Sequence, residues 1–184
     1  MPEGWEDAWR AFHHGVQVGR LWVGPPWEAV VVDPGRAFGT GAHPTTRLTL
    51  ELLQTLGSGS FLDIGCGSGV LSIAAAKLGF APVVAVDVDP AAVEVTRANA
   101  RANGVAFDAW TLDALTEAPP RADVAVANIA LDVVEALGAR VECDRFVTSG
   151  YLAVDEPALP RFAHAERRTL DGWAADVWRP IERG

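Results

Sequence analysis

Apolar and polar positions change rhythm along this chain, and the rhythm predicts its elements. From residue 60 onward, short and nearly continuous apolar runs alternate with longer amphipathic stretches. Residues 60–66, 83–88, 107–112, 122–129 and 145–152 read as strands. Residues 70–78, 90–103 and 131–139 read as the helices between them. Asp89 is a good N-cap for the second of these and Gly104 a good stop. A further short helix is expected over residues 156–162. Residues 165–170 and 173–179 then flank Asp171-Gly172, a hairpin signal. Strands alternating with helices predict a doubly wound α/β fold with a mostly parallel sheet. The closing hairpin brings the sheet to seven strands and makes one edge antiparallel.

The first third of the chain is less regular. Residues 4–14 form a candidate helix with Trp5, Ala8, Trp9 and Phe12 on one face. Residues 16–23 and 28–32 read as short strands, separated by Pro25 and Pro26. Residues 33–43 are a turn-rich loop. Residues 44–56 read as a helix with Pro44 in its first turn and Leu48, Leu52, Leu53 and Leu56 on its buried side. The expected organisation is one domain: residues 1–32 pack as a helix and strands on the core, and residues 33–184 carry the ligand site.

At 184 residues the length suits a single domain with a full core. The net charge is −9 and the pI near 4.8, so no global field attracts phosphate backbones, and non-specific nucleic-acid binding is disfavoured. No apolar run reaches the length of a membrane span, and the N-terminus has no signal-peptide core. A soluble, cytoplasmic protein without a membrane partner is expected. Cys66 and Cys143 form no Cys-x-x-Cys pair, so no metal site is expected.

The informative stretch is Phe61-Leu-Asp-Ile-Gly-Cys-Gly-Ser-Gly69. A strand runs through Asp63 into three glycines, and a helix follows at once. Glycine permits the sharp turn and lets a ligand approach the main chain, while the helix start offers free N–H groups. The dinucleotide fingerprint Gly-x-Gly-x-x-Gly fails at Val70. Gly-x-Gly-x-Gly behind Asp63 suits a ligand without a pyrophosphate, whose carboxylate, sulfonium and ribose lie along Gly65 and Gly67. Asp87 ends the next strand, about 20 residues on, where a carboxylate accepts from a ribose diol; the alternative is a cap or an exposed turn residue. Asn128 ends another strand. Its amide would accept from a substrate amine and steer the nitrogen towards a methyl group, or else it is a strand-end turn residue. Asp113 is a candidate acceptor for an adenine amino group, against an exposed loop acid. His43, beside Pro44, either touches the cofactor or helps shed a proton, or else is a loop or N-cap residue that satisfies backbone groups.

The run Pro34-Gly-Arg-Ala-Phe-Gly-Thr-Gly-Ala-His-Pro-Thr-Thr46 resembles the cofactor loop of the PrmA family, the methyltransferases of ribosomal protein L11. Asp63-Ile-Gly-Cys-Gly-Ser-Gly-Val-Leu71, Asp87-Val-Asp-Pro90 and Ala127-Asn-Ile129 are similar to further family motifs, and Trp5-Glu-Asp-Ala-Trp-Arg10 to its linker helix. The resemblance implies a class I S-adenosylmethionine methyltransferase fold and S-adenosylmethionine as cofactor. It implies cofactor contacts at Thr46, Gly65, Asp87 and Asn128, with Phe38 covering the ligand. It implies methyl transfer to lysine ε-amines and an N-terminal α-amine. Direct displacement at the sulfonium carbon needs positioning and a neutral amine more than a strong base.

Family members carry a separate N-terminal domain that docks the ribosomal protein; this chain reads as the catalytic domain without it. The apolar face of Trp5, Trp9 and Phe12 is then expected to seek another partner or a second subunit, as in a homodimer. The leading reading is N-methylation of a protein amine. The alternatives are a small-molecule or nucleic-acid amine methyltransferase and a non-catalytic S-adenosylmethionine-binding module. A dehydrogenase is opposed by Val70, and no Gly-x-Ser-x-Gly supports a serine hydrolase.

Overall fold

The computed structural model describes residues 16–19, 21–23 and 43–181. The expected helix over residues 4–14, the strand over residues 28–32 and most of the loop over residues 33–43 lie outside the described residues, and Phe38 with them.

Residues 16–23 are not one strand. The chain folds back at Gly19, whose φ of +57° is the left-handed region glycine enters freely. Two short strands, β1 (Val16–Val18) and β2 (Leu21–Val23), pair antiparallel as a result. Val18 is buried in the core, and its carbonyl accepts from Gln54 Nε2 at 2.9 Å.

Helix α1 (Pro44–Leu53) opens with Pro44 in its first turn and buries Leu48, Leu50, Leu52 and Leu53. It ends before Leu56 because the chain tightens. Thr55 and Leu56 donate back three residues, to Leu52 and Leu53, and Gly57 turns away at φ +74°. The alternation then runs β3 (Phe61–Ile64), α2 (Val70–Leu78), β4 (Val83–Asp87), α3 (Pro90–Ala102), β5 (Asp108–Thr111), β6 (Ala122–Asn128), α4 (Leu131–Leu137) and β7 (Cys143–Leu152). The hairpin β8 (Phe162–Leu170) and β9 (Trp173–Pro180) closes the chain. Asp171 and Gly172, both at positive φ, make its turn.

The main sheet has seven strands in the order β5-β4-β3-β6-β7-β9-β8. Strands β3 to β7 are mutually parallel, and β9 is antiparallel to both β7 and β8. This is the expected α/β architecture with its antiparallel C-terminal edge. Side chains alternate between the two faces along each strand. Phe61, Val124, Val126 and Val147 share one core with α1 and α2; Leu62, Ile64, Ala125 and Phe146 share the other with α4. The chain leaves β3 towards β4 and β5, then returns to β6 on the other side. The order therefore reverses between β3 and β6, and a crevice opens there at the strands' carboxyl ends.

The short helix expected over residues 156–162 is absent. Pro157 and Pro160 each lack the N–H a helix interior needs. The segment is instead held from outside: the N–H of Ala158 donates to Glu135 Oε1, and the Arg161 side chain donates to the carbonyl of Ala139. Among the described residues, no helix is long and apolar enough to cross a membrane.

Candidate active site

The turn from β3 into α2 uses its glycines for their conformations. Gly65, Gly67 and Gly69 have φ of +75°, +54° and +80°. Gly69 is the N-cap of α2 and has no side chain to cap with. Asp63 takes that role from the strand: its Oδ2 accepts from the Ser72 N–H at 3.2 Å and from Ser72 Oγ at 2.6 Å. Asp63 is 1% exposed, and its Oδ1 has no hydrogen-bond partner. Burial pushes its carboxyl up to about 6.

Asp87, at the end of β4, holds the loop from the side. Its Oδ2 accepts from the N–H of Gly67 at 2.9 Å and its Oδ1 from that of Asp89 at 3.0 Å. Asp89 itself caps α3 through the N–H of Ala91. Helix α3 reaches back to the loop carbonyls, with Thr96 Oγ1 on Gly67 O and Asn99 Nδ2 on Ser68 O. Cys66 lies buried between them, and burial raises its thiol to about 12, so it stays a neutral thiol.

A cavity of about 1150 Å³ lies over this loop. Thr46, Gly65, Gly67, Asp87, Asp113 and Asn128 line it, so six of the sequence-predicted positions converge. Asp63 does not line it and stands one layer behind the loop. One end is apolar, with Leu112, Ala114, Leu115 and the 67%-exposed Val88. Asp113 sits at that end, where its Oδ1 accepts from the Leu115 N–H at 2.9 Å and shapes the turn.

At the other end Asn128 Nδ2 stands 3.5 Å from Thr46 Oγ1, joining β6 to the first turn of α1. His43 is the N-cap of α1: its Nδ1 accepts from the N–H of Thr45 and lies 2.7 Å from Thr45 Oγ1. The N-cap reading of His43 is the one this geometry shows, although the ring also lines the cavity. Its partner there is Trp173, edge-on with ring centroids 4.8 Å apart.

Trp173 and Gly150 line the same end and were not legible as site residues. Trp173 follows the Asp171-Gly172 turn, a position that signalled only a hairpin. Gly150 has φ +105°, and a Cβ there would strike the backbone carbonyl of Ile129. The strand shifts register between Ser149 and Tyr151 to accommodate this, which is a bulge beside the site.

A sequence profile described as ribosomal protein L11 methyltransferase (PrmA) matches residues 2–159. The chain belongs to the PrmA family. Among curated PrmA proteins, the ribosomal protein L11 methyltransferase of Symbiobacterium thermophilum is 41% identical over 199 aligned residues, covering 94% of this chain and 64% of that protein. The one from Photobacterium profundum is 46% identical over 138, covering 68% of this chain and 47% of that protein. The chain thus spans about half to two thirds of the length of these relatives. In fold it is similar to the ribosomal protein L11 methylase of Lactobacillus delbrueckii subsp. bulgaricus, with a TM-score of 0.81 at 23% identity over 93% of this chain and all of that one. It is also similar to an RNA methyltransferase of Salinibacter ruber solved with S-adenosyl-L-homocysteine, with a TM-score of 0.59 at 23% identity over 73% and 89%. At these identities the two structures speak for the fold alone.

Proposed function

We propose that this PrmA chain is a catalytic module that binds S-adenosylmethionine and methylates amines of a protein acceptor, ribosomal protein L11 or a relative of it. The observation that carries this reading is the pairing of Asp87 with the glycine loop under a large cavity. The Asp87 oxygens each hold one backbone N–H and keep lone pairs for two vicinal hydroxyls. The residues fit the cofactor on three counts. Gly65 and Gly67 line the cavity with backbone alone. Asp87 borders the cavity with both carboxylate oxygens anchored on backbone N–H groups. The apolar end, with Val88 and Leu115 exposed, suits a purine ring.

On this reading Asp87 holds the ribose, Gly65 and Gly67 the methionine portion, and Leu112 to Leu115 the adenine. Thr46 and Asn128 border the place where the acceptor nitrogen enters. When bound, the cofactor supplies an electrophilic methyl group on its sulfonium. Asn128 orients the amine so that its nitrogen lone pair faces the methyl group. A ribosomal acceptor puts the reaction in the cytoplasm.

Calorimetry with S-adenosylmethionine, followed by radiolabelled methyl transfer to recombinant ribosomal protein L11, tests both halves. Binding with transfer to L11 supports the reading. Tighter binding of NAD overturns the cofactor assignment. Label confined to small molecules or RNA overturns the acceptor, and binding without turnover on any pool leaves a binding module.

A further inference from the structure

Three groups at the amine end of the cavity are joined in a way the methyl-transfer reading does not use. His43 faces the first turn of α1: the backbone N–H of Thr45 donates to its Nδ1 at 3.4 Å, which favours a lone pair on that nitrogen. The hydroxyl of Thr45 lies 2.7 Å from the same nitrogen, and it donates there only when Nδ1 is bare. A neutral ring held this way carries its proton on Nε2. The same ring stands edge-on to Trp173 at 4.8 Å. Trp173 opens β9, two residues before Ala175; Ala175 pairs with Ser149, and Ser149 pairs with Asn128. The helix cap, the imidazole, the indole and the amide therefore sit on adjoining elements around one end of the cavity.

We propose that His43 is a positioning residue, locked as an Nε2–H donor, that sets the Trp173 indole as the wall of the amine channel and does not serve as the reaction's base. To take a proton from the amine, the ring would need a free lone pair on Nε2. In the proposed tautomer that nitrogen carries the proton, and the other faces α1. Among the described residues lining the cavity, the remaining ionisable oxygens belong to Asp87, Asp89 and Asp113, which lie along the loop and at the apolar end. None of these described oxygens stands beside Asn128 and Trp173, where the amine is proposed to enter. His43 acts on the reaction by keeping the indole in place. The inference rests on the methyltransferase reading for the identity of the amine channel, but not for the state of the ring.

Nitrogen-15 NMR of the imidazole side chains in the full chain reads that state directly, with His43→Asn assigning the signal. Asn is itself a good N-cap, so this variant keeps α1. The expected spectrum near neutral pH shows His43 with a bare Nδ1 and a protonated Nε2. A proton on Nδ1 in the neutral ring overturns the proposal. The indole N–H signal of Trp173, assigned with Trp173→Phe, is expected to move in His43→Asn; an unmoved signal breaks the link between the two rings. Methyl transfer to recombinant L11 supplies the second arm, between pH 6 and pH 9. His43→Asn is expected to lower kcat by about tenfold to a hundredfold at every pH, with the shape of the profile kept. A rising limb in the histidine range that disappears in the variant overturns the proposal. A wild-type chain that transfers nothing to L11 would sink the acceptor assignment instead, while the NMR arm still decides the state of His43.

Discussion

The carboxylate of Asp87 grips the backbone N–H of Gly67 at 2.9 Å, across 20 positions of sequence. The residue that would hold a ribose is thus the residue that fixes the loop beneath it. Hydrogen bonds to a charged group contribute about 1.5–3 kcal/mol each. Losing two hydroxyl contacts in Asp87→Ala should raise the S-adenosylmethionine Kd by at least about a hundredfold. Isothermal calorimetry on the two proteins measures it, and an unchanged Kd would remove Asp87 from the site.

Asp63 should make stability depend on pH in the less usual direction. Its folded carboxyl lies near 6, above its ordinary value of 3.8, because it is buried. A raised value means the stabilising contribution is full below the unfolded value and is lost as pH rises through about 6. The charged form costs about 3 kcal/mol at neutral pH. Asp63→Asn keeps an acceptor for Ser72 and should match or exceed the wild type in urea denaturation at pH 7.5, with the gap closing towards pH 4. Asp63→Ala, which uncaps α2, should instead lose about 0.5–2 kcal/mol relative to Asp63→Asn.

Gly150→Ala should be among the most damaging small substitutions. It demands φ +105° of a residue with a Cβ and drives that atom into the Ile129 carbonyl. A loss of about 2–4 kcal/mol is expected by thermal or chemical denaturation. Ile129 follows Asn128, so the surviving folded fraction should also transfer methyl groups more slowly. A variant with wild-type stability would mean that the bulge relaxes.

A second carboxylate sets the opposite pH limb. Asp176 on β9 is wholly buried and accepts from Tyr151 Oη, His164 Nε2 and both Nε and Nη2 of Arg167, at 2.7–2.9 Å. Burial works against its charge, yet the bonds from Arg167, Tyr151 and His164 outweigh it and hold its pKa below the usual value. A lowered value gives stability that is present above the unfolded value, near 3.8, and lost as pH falls through the folded one. Acid unfolding followed by circular dichroism should therefore steepen below about pH 4. Arg167→Met strands the buried carboxylate and should cost about 3–5 kcal/mol at pH 7.

The sequence carried most of this because its signals were local. Parallel strands buried on both faces leave continuous apolar runs, and β3, β4 and β6 were readable for that reason. Gly65, Gly67 and Asp87 were readable because a glycine turn and a carboxylate recur at a spacing set by one βαβ unit. What stayed hidden was long-range. Nothing in Asp171-Gly172-Trp173 says that the indole meets His43, 130 positions earlier, because that contact depends on how β9 returns beside β7. Asp63 was read as a ligand contact, but its position behind the loop follows from strand alternation, which turns it towards α2 and Ser72. The helix expected over residues 156–162 does not form, because Pro157 and Pro160 interrupt its hydrogen bonding.

The glycine loop is gripped from three sides: by Asp63 through α2, by Asp87 from β4, and by Thr96 and Asn99 from α3. Its glycines were needed to make the turn, yet none is left free to wander afterwards. The loop is a mould already set before any ligand arrives. Association should then lack a slow ordering phase from this segment, and its amide protons should resist exchange as strongly in the free chain as in the complex.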